Sequence, residues 1–133
     1  MSKKFNKVYI ASRLANHIWA DKFAKMCRNA GLDVLSDWHE NCANIDITAD
    51  AEAAEAEVAD NLAAIDRADK FIFLSDTHYG RGPADVEFGY AFAVGCELAI
   101  IGPPRNIYHQ HPVVEQFENI DEFMVFLRES TED

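Results

Sequence analysis

The chain has 133 residues, with 12 Lys plus Arg against 23 Asp plus Glu and a formal net charge of -11. That excess of anions excludes a general nucleic-acid binder, which needs a concentrated cationic surface to neutralise phosphates. One domain fits this length, and 49% hydrophobic with 26% charged residues is the composition of a folded globular protein, not a disordered or fibrous one.

The first apolar run, Val8 to Ala11, is too short for the core of a signal peptide. It belongs instead to a β-rich segment, Lys7-Val-Tyr-Ile-Ala-Ser12, the expected first strand. From about Ala15 to Ala30 the residues Ile18, Trp19, Phe23, Met26 and Cys27 recur at helical spacing, and Gly31 supplies the stop. Trp19, Phe23 and Met26 are expected in the core. Leu32 to Ser36 reads as the second strand and Asp37 to Asn44 as a polar loop carrying Trp38 and His39. Ile47, Ala51, Ala54, Val58, Leu62 and Ile65 then form a narrow apolar seam on a long, otherwise acidic helix.

Lys70-Phe-Ile-Phe-Leu-Ser75 is almost wholly apolar, as a strand buried on both faces of a parallel sheet is. A polar loop, Asp76 to Gly82, leads to Pro83, which suits the first turn of a helix running to about Val94 and ending at Gly95. Glu97 to Gly102 is the fourth strand, closed by Pro103 and Pro104. A weaker strand, Val113 to Phe117, an amphipathic helix, Asp121 to Arg128, and a frayed tail complete the chain. The most apolar stretch, Phe88 to Ile101, carries Gly89, Gly95 and Glu97 and falls short of the roughly 20 residues a spanning helix requires. Cys27, Cys42 and Cys96 form no CxxC pair, which argues against a disulfide scaffold and a structural zinc site. A cytoplasmic, membrane-free protein is expected.

Strands alternating with helices imply right-handed crossovers, hence an α/β fold: a flavodoxin- or Rossmann-like three-layer αβα sandwich around a parallel sheet of about five strands. In such folds the ligand site lies at the carboxyl ends of the strands, where the strand order switches. This nominates Ser12 and Arg13, Asp37 and Trp38, the loop from Ser75 to Gly82 with Asp76 and Arg81, and the segment from Gly102 to His109. The loop matches neither a GxGxxG motif nor a P-loop. Glu87 sits one turn into the following helix, among Val86, Phe88, Tyr90, Ala91 and Phe92. A carboxylate at the mouth of a strand-end crevice suits a nucleophile or base in glycosyl-bond chemistry. Trp38 and Tyr79 suit either base stacking or a packing lid. His78, His109 and His111 do not make a persuasive metal set, and no metal or cofactor is expected.

Four ordered segments carry a resemblance: Val8-Tyr-Ile-Ala-Ser12, Asp60-Asn-Leu with Ala68-Asp69, Gly80-Arg-Gly with Val86-Glu-Phe-Gly-Tyr-Ala91, and Ile101-Gly-Pro with Asn106 and His109. Together they resemble the nucleoside 2-deoxyribosyltransferase family, especially its short phage and bacterial members. The resemblance implies cleavage of the N-glycosidic bond of a deoxyribonucleoside or its 5'-monophosphate through a glycosyl-enzyme intermediate. It makes Glu87 the nucleophile and Tyr9 the residue that holds its carboxylate. A second free base as acceptor gives transfer, and water gives hydrolysis. Family members commonly carry Asp before the Leu of the long-helix motif; here Asn61 stands there, with Asp60 one residue earlier. The protonation of the leaving base then falls to Asp60, Asp76 or solvent. Pro83 replaces a second glycine of the loop, leaving Arg81, Arg13, Ser12 and Gly82 as the candidates for holding a 5'-phosphate. The resemblance also implies a homodimer or higher homo-oligomer in which Asn106 and His109 reach a neighbouring subunit's site. The partners it implies are a small-molecule nucleoside or nucleotide and a free base, with no nucleic-acid polymer and no membrane.

The charge is polarised along the chain. Residues 1–28 carry seven basic and one acidic residue, whereas residues 46–69 carry one basic and eight acidic ones. The acidic helix is expected to present a solvated face.

Overall fold

The structure, a computed structural model, describes residues 5–41, 51–76 and 82–131. At its centre lies β3 (Lys70–Leu74), with all five residues buried. A strand apolar on both faces needs cover on both sides, which crossover helices supply. It lies between β1 (Lys7–Ala11) and β4 (Glu97–Ile101), and the short strands β2 (Asp33–Val34) and β5 (Val114–Phe117) form the edges. The order is β2-β1-β3-β4-β5 and every neighbouring pair is parallel. This is the flavodoxin-like, doubly wound arrangement, with the five strands and three layers the sequence implies.

Side-chain alternation decides which helix covers which face. Tyr9 pairs in register with Phe71, and Ala11 with Phe73. Their face is covered by α4 (Pro83–Ala93), whose Phe88 meets Phe71 and Phe73 edge-on at 5.9 and 6.2 Å between ring centroids. α3 (Ala51–Arg67) packs beside α4. On the opposite face α1 (His17–Asn29) and α5 (Ile120–Thr131) meet through Phe23 and Phe123, with centroids 5.6 Å apart. Phe5, Phe117 and Phe126 extend this aromatic cluster. Truncating one such ring to alanine costs about 3–5 kcal/mol, a large share of a domain's stability. Lys70 is buried at the start of β3, where Glu115 pairs with it and the Phe5 ring centroid lies 4.4 Å from Nζ. Its charge is therefore compensated within the fold.

Several local expectations are corrected. The second strand keeps only Asp33 and Val34, because at Ser36 a side-chain hydroxyl, not the backbone, accepts the Ile10 N–H at 3.1 Å. The loop expected from Asp37 begins as a short helix, α2 (Trp38–Asn41), with Trp38 and His39 buried. Met26 is 38% exposed and Ile18 63% exposed, so neither is core. The buried stripe of α1 is Ala20, Phe23, Ala24 and Cys27, and Met26 stands about 110° away from its centre at 100° per residue. Trp19 packs only partly buried against the core. In α3 the seam is buried only at Ala64 and Ile65; Val58 is 55% exposed. Burial pushes the thiol of Cys27 up to about 12 and that of Cys96 up to about 11, which keeps both protonated at neutral pH. Among the described residues no helix is long and apolar enough to cross a membrane.

Candidate active site

From β1 the chain passes to β2 on one side and later to β3 on the other, so the carboxyl ends of β1 and β3 open a crevice between diverging connections. Polar residues follow both strands and lock the two ends together. Ser12 Oγ donates to the Leu74 carbonyl at 2.9 Å. Asn16 Nδ2 donates to Asp76 Oδ2 at 2.7 Å and to Ser12 Oγ at 3.2 Å, and Arg13 Nη2 lies 2.8 Å from the same Asp76 oxygen. The crevice holds a cavity of about 240 Å³. Ser12 and Leu14 line it from the end of β1, Trp38 from α2, Ala54, Glu57, Val58 and Asn61 from α3, and Pro83, Ala84 and Glu87 from α4. The α3 residues recur at steps of three and four and so share one helical face.

Helix α4 explains how a carboxylate comes to stand here. Ala84, Phe88 and Ala91 are buried against the sheet. Glu87 follows Ala84 by three residues and faces the cavity beside it. Tyr9, wholly buried and stacked on Phe71 at 5.6 Å, lies behind it and donates its O–H to Glu87 Oε2 at 3.1 Å. Burial pushes the Glu87 carboxyl up to about 7, opposed by hydrogen bonds from Tyr9 and Asn61 and reinforced by the charge of Glu57. The Tyr9 phenol is held far above its usual range, by burial first and by the Glu87 charge next, so it remains a donor.

Asn61 lines the cavity with two carboxyls, Glu57 and Glu87. Its amide lowers the proton affinity of each, as a donor beside a carboxylate does. Asp60 is exposed and is not among the cavity-lining residues, being turned about 100° from Asn61 around the helix. Glu57 is the site residue that the sequence leaves unmarked. Burial raises its carboxyl, and so do the neighbouring charges of Asp37 and Asp60. Its spacing of four from Asn61 and three from Ala54 places it on the cavity face, but as one of eight acids in residues 46–69 it does not stand out.

The other nominated residues are more dispersed. Arg13 and Asp76 engage each other beyond Ser12 and do not line the cavity. Gly82 caps α4 with φ -151° and ψ 177°, an extended conformation open to any residue. Arg81, Tyr79, His78 and Cys42 lie outside the described residues. His109 is 1% exposed, wedged against Phe73 and Phe88 at 4.9 and 5.0 Å. Asn106 Oδ1 accepts the His109 N–H at 3.0 Å, and the Arg105 N–H donates to His109 Nδ1 at 3.1 Å. The resemblance sends His109 to a neighbouring subunit; here it is packed into its own core behind α4. Burial lowers its proton affinity, partly offset by Asp85.

Ser36, His39 and Asp21 form a Ser–His–Asp array, with Oγ to Nε2 at 3.1 Å and Nδ1 to Oδ1 at 3.0 Å. Because Asp21 accepts from Nδ1–H, Nε2 accepts the Ser36 hydroxyl proton. Ser36 is only 2% exposed and no substrate reaches it. The array instead fastens α2 to α1 and β1, and Trp38 Nε1 completes it by donating to the Ile10 carbonyl at 2.6 Å. Trp38 thus presents one edge to the cavity while its N–H is satisfied internally.

Comparison with solved structures decides the architecture. A 2-deoxyribosyltransferase from Bacillus psychrosaccharolyticus superposes with a TM-score of 0.70 at 18% identity, covering 88% of this chain and 89% of that one. A CMP N-glycosidase of Clostridium botulinum superposes at 0.62 and 16% identity, covering 92% of this chain and 98% of that one. The chain has the fold of both. Neither a family model nor a curated protein matches the sequence.

Proposed function

We propose that the protein cleaves the N-glycosidic bond of a 2-deoxyribonucleoside, or of its 5'-monophosphate, with Glu87 as nucleophile and Tyr9 as the residue that positions it. The observation that carries this reading is a partly buried carboxylate, fixed by a phenol donor, at the strand-end cavity of this fold. An oxocarbenium-like carbon needs an anion close to it, and a fixed rotamer avoids reorganisation as the charge develops. Glu87 attacks the anomeric carbon, the bond to the base breaks, and the sugar is left as an ester of Glu87. A second base then takes the sugar, which makes the reaction a transfer. The fold shared with a CMP N-glycosidase favours a second reading, in which water takes the sugar.

Incubation of a deoxyribonucleoside, or of its 5'-monophosphate, with and without a second free base separates the two. The swapped product supports transfer, and free deoxyribose or its phosphate alone supports hydrolysis. Ligand binding in calorimetry without either product would contradict both and leave a nucleotide-binding module.

A further inference from the structure

We infer that Glu57 is the acid that protonates the departing base, acting in the same cavity as Glu87. This rests on the function proposed above and supplies the step that Asn61, an amide, does not perform. Glu57 and Glu87 line one cavity from different helices, α3 and α4. Asn61, four residues on from Glu57 and on the same face of α3, lines the cavity with them. Two carboxyls in one site are the arrangement by which one acid protonates a leaving group while the other attacks the same carbon.

The alternatives in reach are disposed differently. Asp60 is exposed and turned from the cavity, and Asp76 is engaged by Arg13 and Asn16. The groups acting on Glu57 favour its protonated form: burial, Asp37 before α2 and Asp60 on its own helix, with Asn61 opposing. The Glu57 charge in turn raises the proton affinity of Glu87 on α4 and of the Tyr9 phenol on β1. A singly protonated pair is reactive when the proton sits on Glu57 and the charge on Glu87. Tyr9 favours that form because its O–H donates to Glu87.

The step balances. As the Glu87 carboxylate bonds to the anomeric carbon, the glycosidic electron pair passes to the base, which takes the Glu57 proton and leaves neutral. In the second half the Glu57 carboxylate removes the proton of the incoming base or water, and Glu87 departs as a carboxylate. Acid assistance matters only for leaving groups that are poor as anions.

The test compares wild type, E57Q and E57D on 2'-deoxyadenosine and on 4-nitrophenyl 2-deoxyriboside, whose leaving group needs no proton. For E57Q the expected result is a fall of about 10²–10⁴-fold in kcat/KM on the nucleoside. On the nitrophenyl glycoside its kcat/KM, which reports only the first half of the reaction, should stay within about threefold of wild type, which also reports an intact fold. E57D should recover part of the nucleoside activity. The basic limb of the kcat/KM profile on the nucleoside should vanish in E57Q, a readout independent of the second substrate. Equal losses on both substrates, or an unchanged profile, overturn the role of Glu57 while leaving Glu87 as nucleophile. A wild type that releases no base from 2'-deoxyadenosine or from its 5'-monophosphate overturns the proposed function itself.

Discussion

Tyr9 Oη lies 3.1 Å from Glu87 Oε2, a hydrogen bond joining residues 78 positions apart in the sequence. The phenol comes from a central strand and the carboxylate from the first turns of the helix after β3, so the contact forms only when the sheet is complete. Y9F keeps the ring stacked on Phe71 and removes only the donor. A hydrogen bond to a charged group contributes about 1.5–3 kcal/mol, so kcat/KM should fall roughly 10- to 100-fold with little change in melting temperature. The lost donor also shifts the shared proton toward Glu87. The last proton of the carboxyl pair should then leave at higher pH, which a pH profile of kcat/KM detects.

The wild-type profile should be bell-shaped. Activity falls on the acid side when both carboxyls are protonated and Glu87 can no longer attack. It falls again above about pH 7, where the last proton of the pair is lost, since burial holds Glu87 up to about 7. A profile that rises through neutrality and then stays level would show that no acid of this pair assists departure.

Burial of Glu87 also couples to stability. Its folded value of about 7 stands above the ordinary 4.5, so its contribution is fully present below about 4.5 and is lost as pH rises through 7. At pH 8 the buried charge costs up to about 3 kcal/mol. E87Q removes that cost. Urea unfolding should show E87Q more stable than wild type at pH 8, with the gain vanishing near pH 4.5. A gain of equal size at both pH values would point to packing instead.

Gly102 closes β4 with φ +110°, and a Cβ there would stand 2.3 Å from the Ser75 carbonyl oxygen. Ser75 is fixed on both sides, its N–H donating to the Ile101 carbonyl at 2.8 Å and its hydroxyl to the Pro103 carbonyl at 2.5 Å. G102A therefore meets backbone that cannot give way, and should destabilise the protein by more than 1 kcal/mol (roughly 2–4). Chemical unfolding measures this, with G89A, where a Cβ meets nothing within 4 Å, as the permissive control.

The centre of the sheet was legible in the sequence because β1, β3 and β4 are short apolar runs bounded by turn residues, and β3 announces itself as buried on both faces. Glu87 was legible for a similar reason, as an acid set among Val86, Phe88 and Tyr90 in a helix that starts at a strand end. Glu57 was not, since a solvated acid and a cavity-lining acid on α3 differ only in which face meets α4. His109 was hidden likewise, because Phe73 and Phe88, which bury it, come from β3 and α4. The helical start at Trp38 escaped notice because Ser36, His39 and Asp21, brought together from separate segments, hold it in place.

The central claim is that the sugar is transiently bonded to Glu87. Acid-quenching the enzyme during turnover of a deoxyribonucleoside, followed by intact-mass and peptide mass spectrometry, tests it directly. The expected result is a mass increase of one deoxyribosyl group, located on the peptide containing Glu87 and absent in E87Q. Release of the base by an enzyme that stays unmodified throughout, or that carries the sugar on another residue, would contradict it.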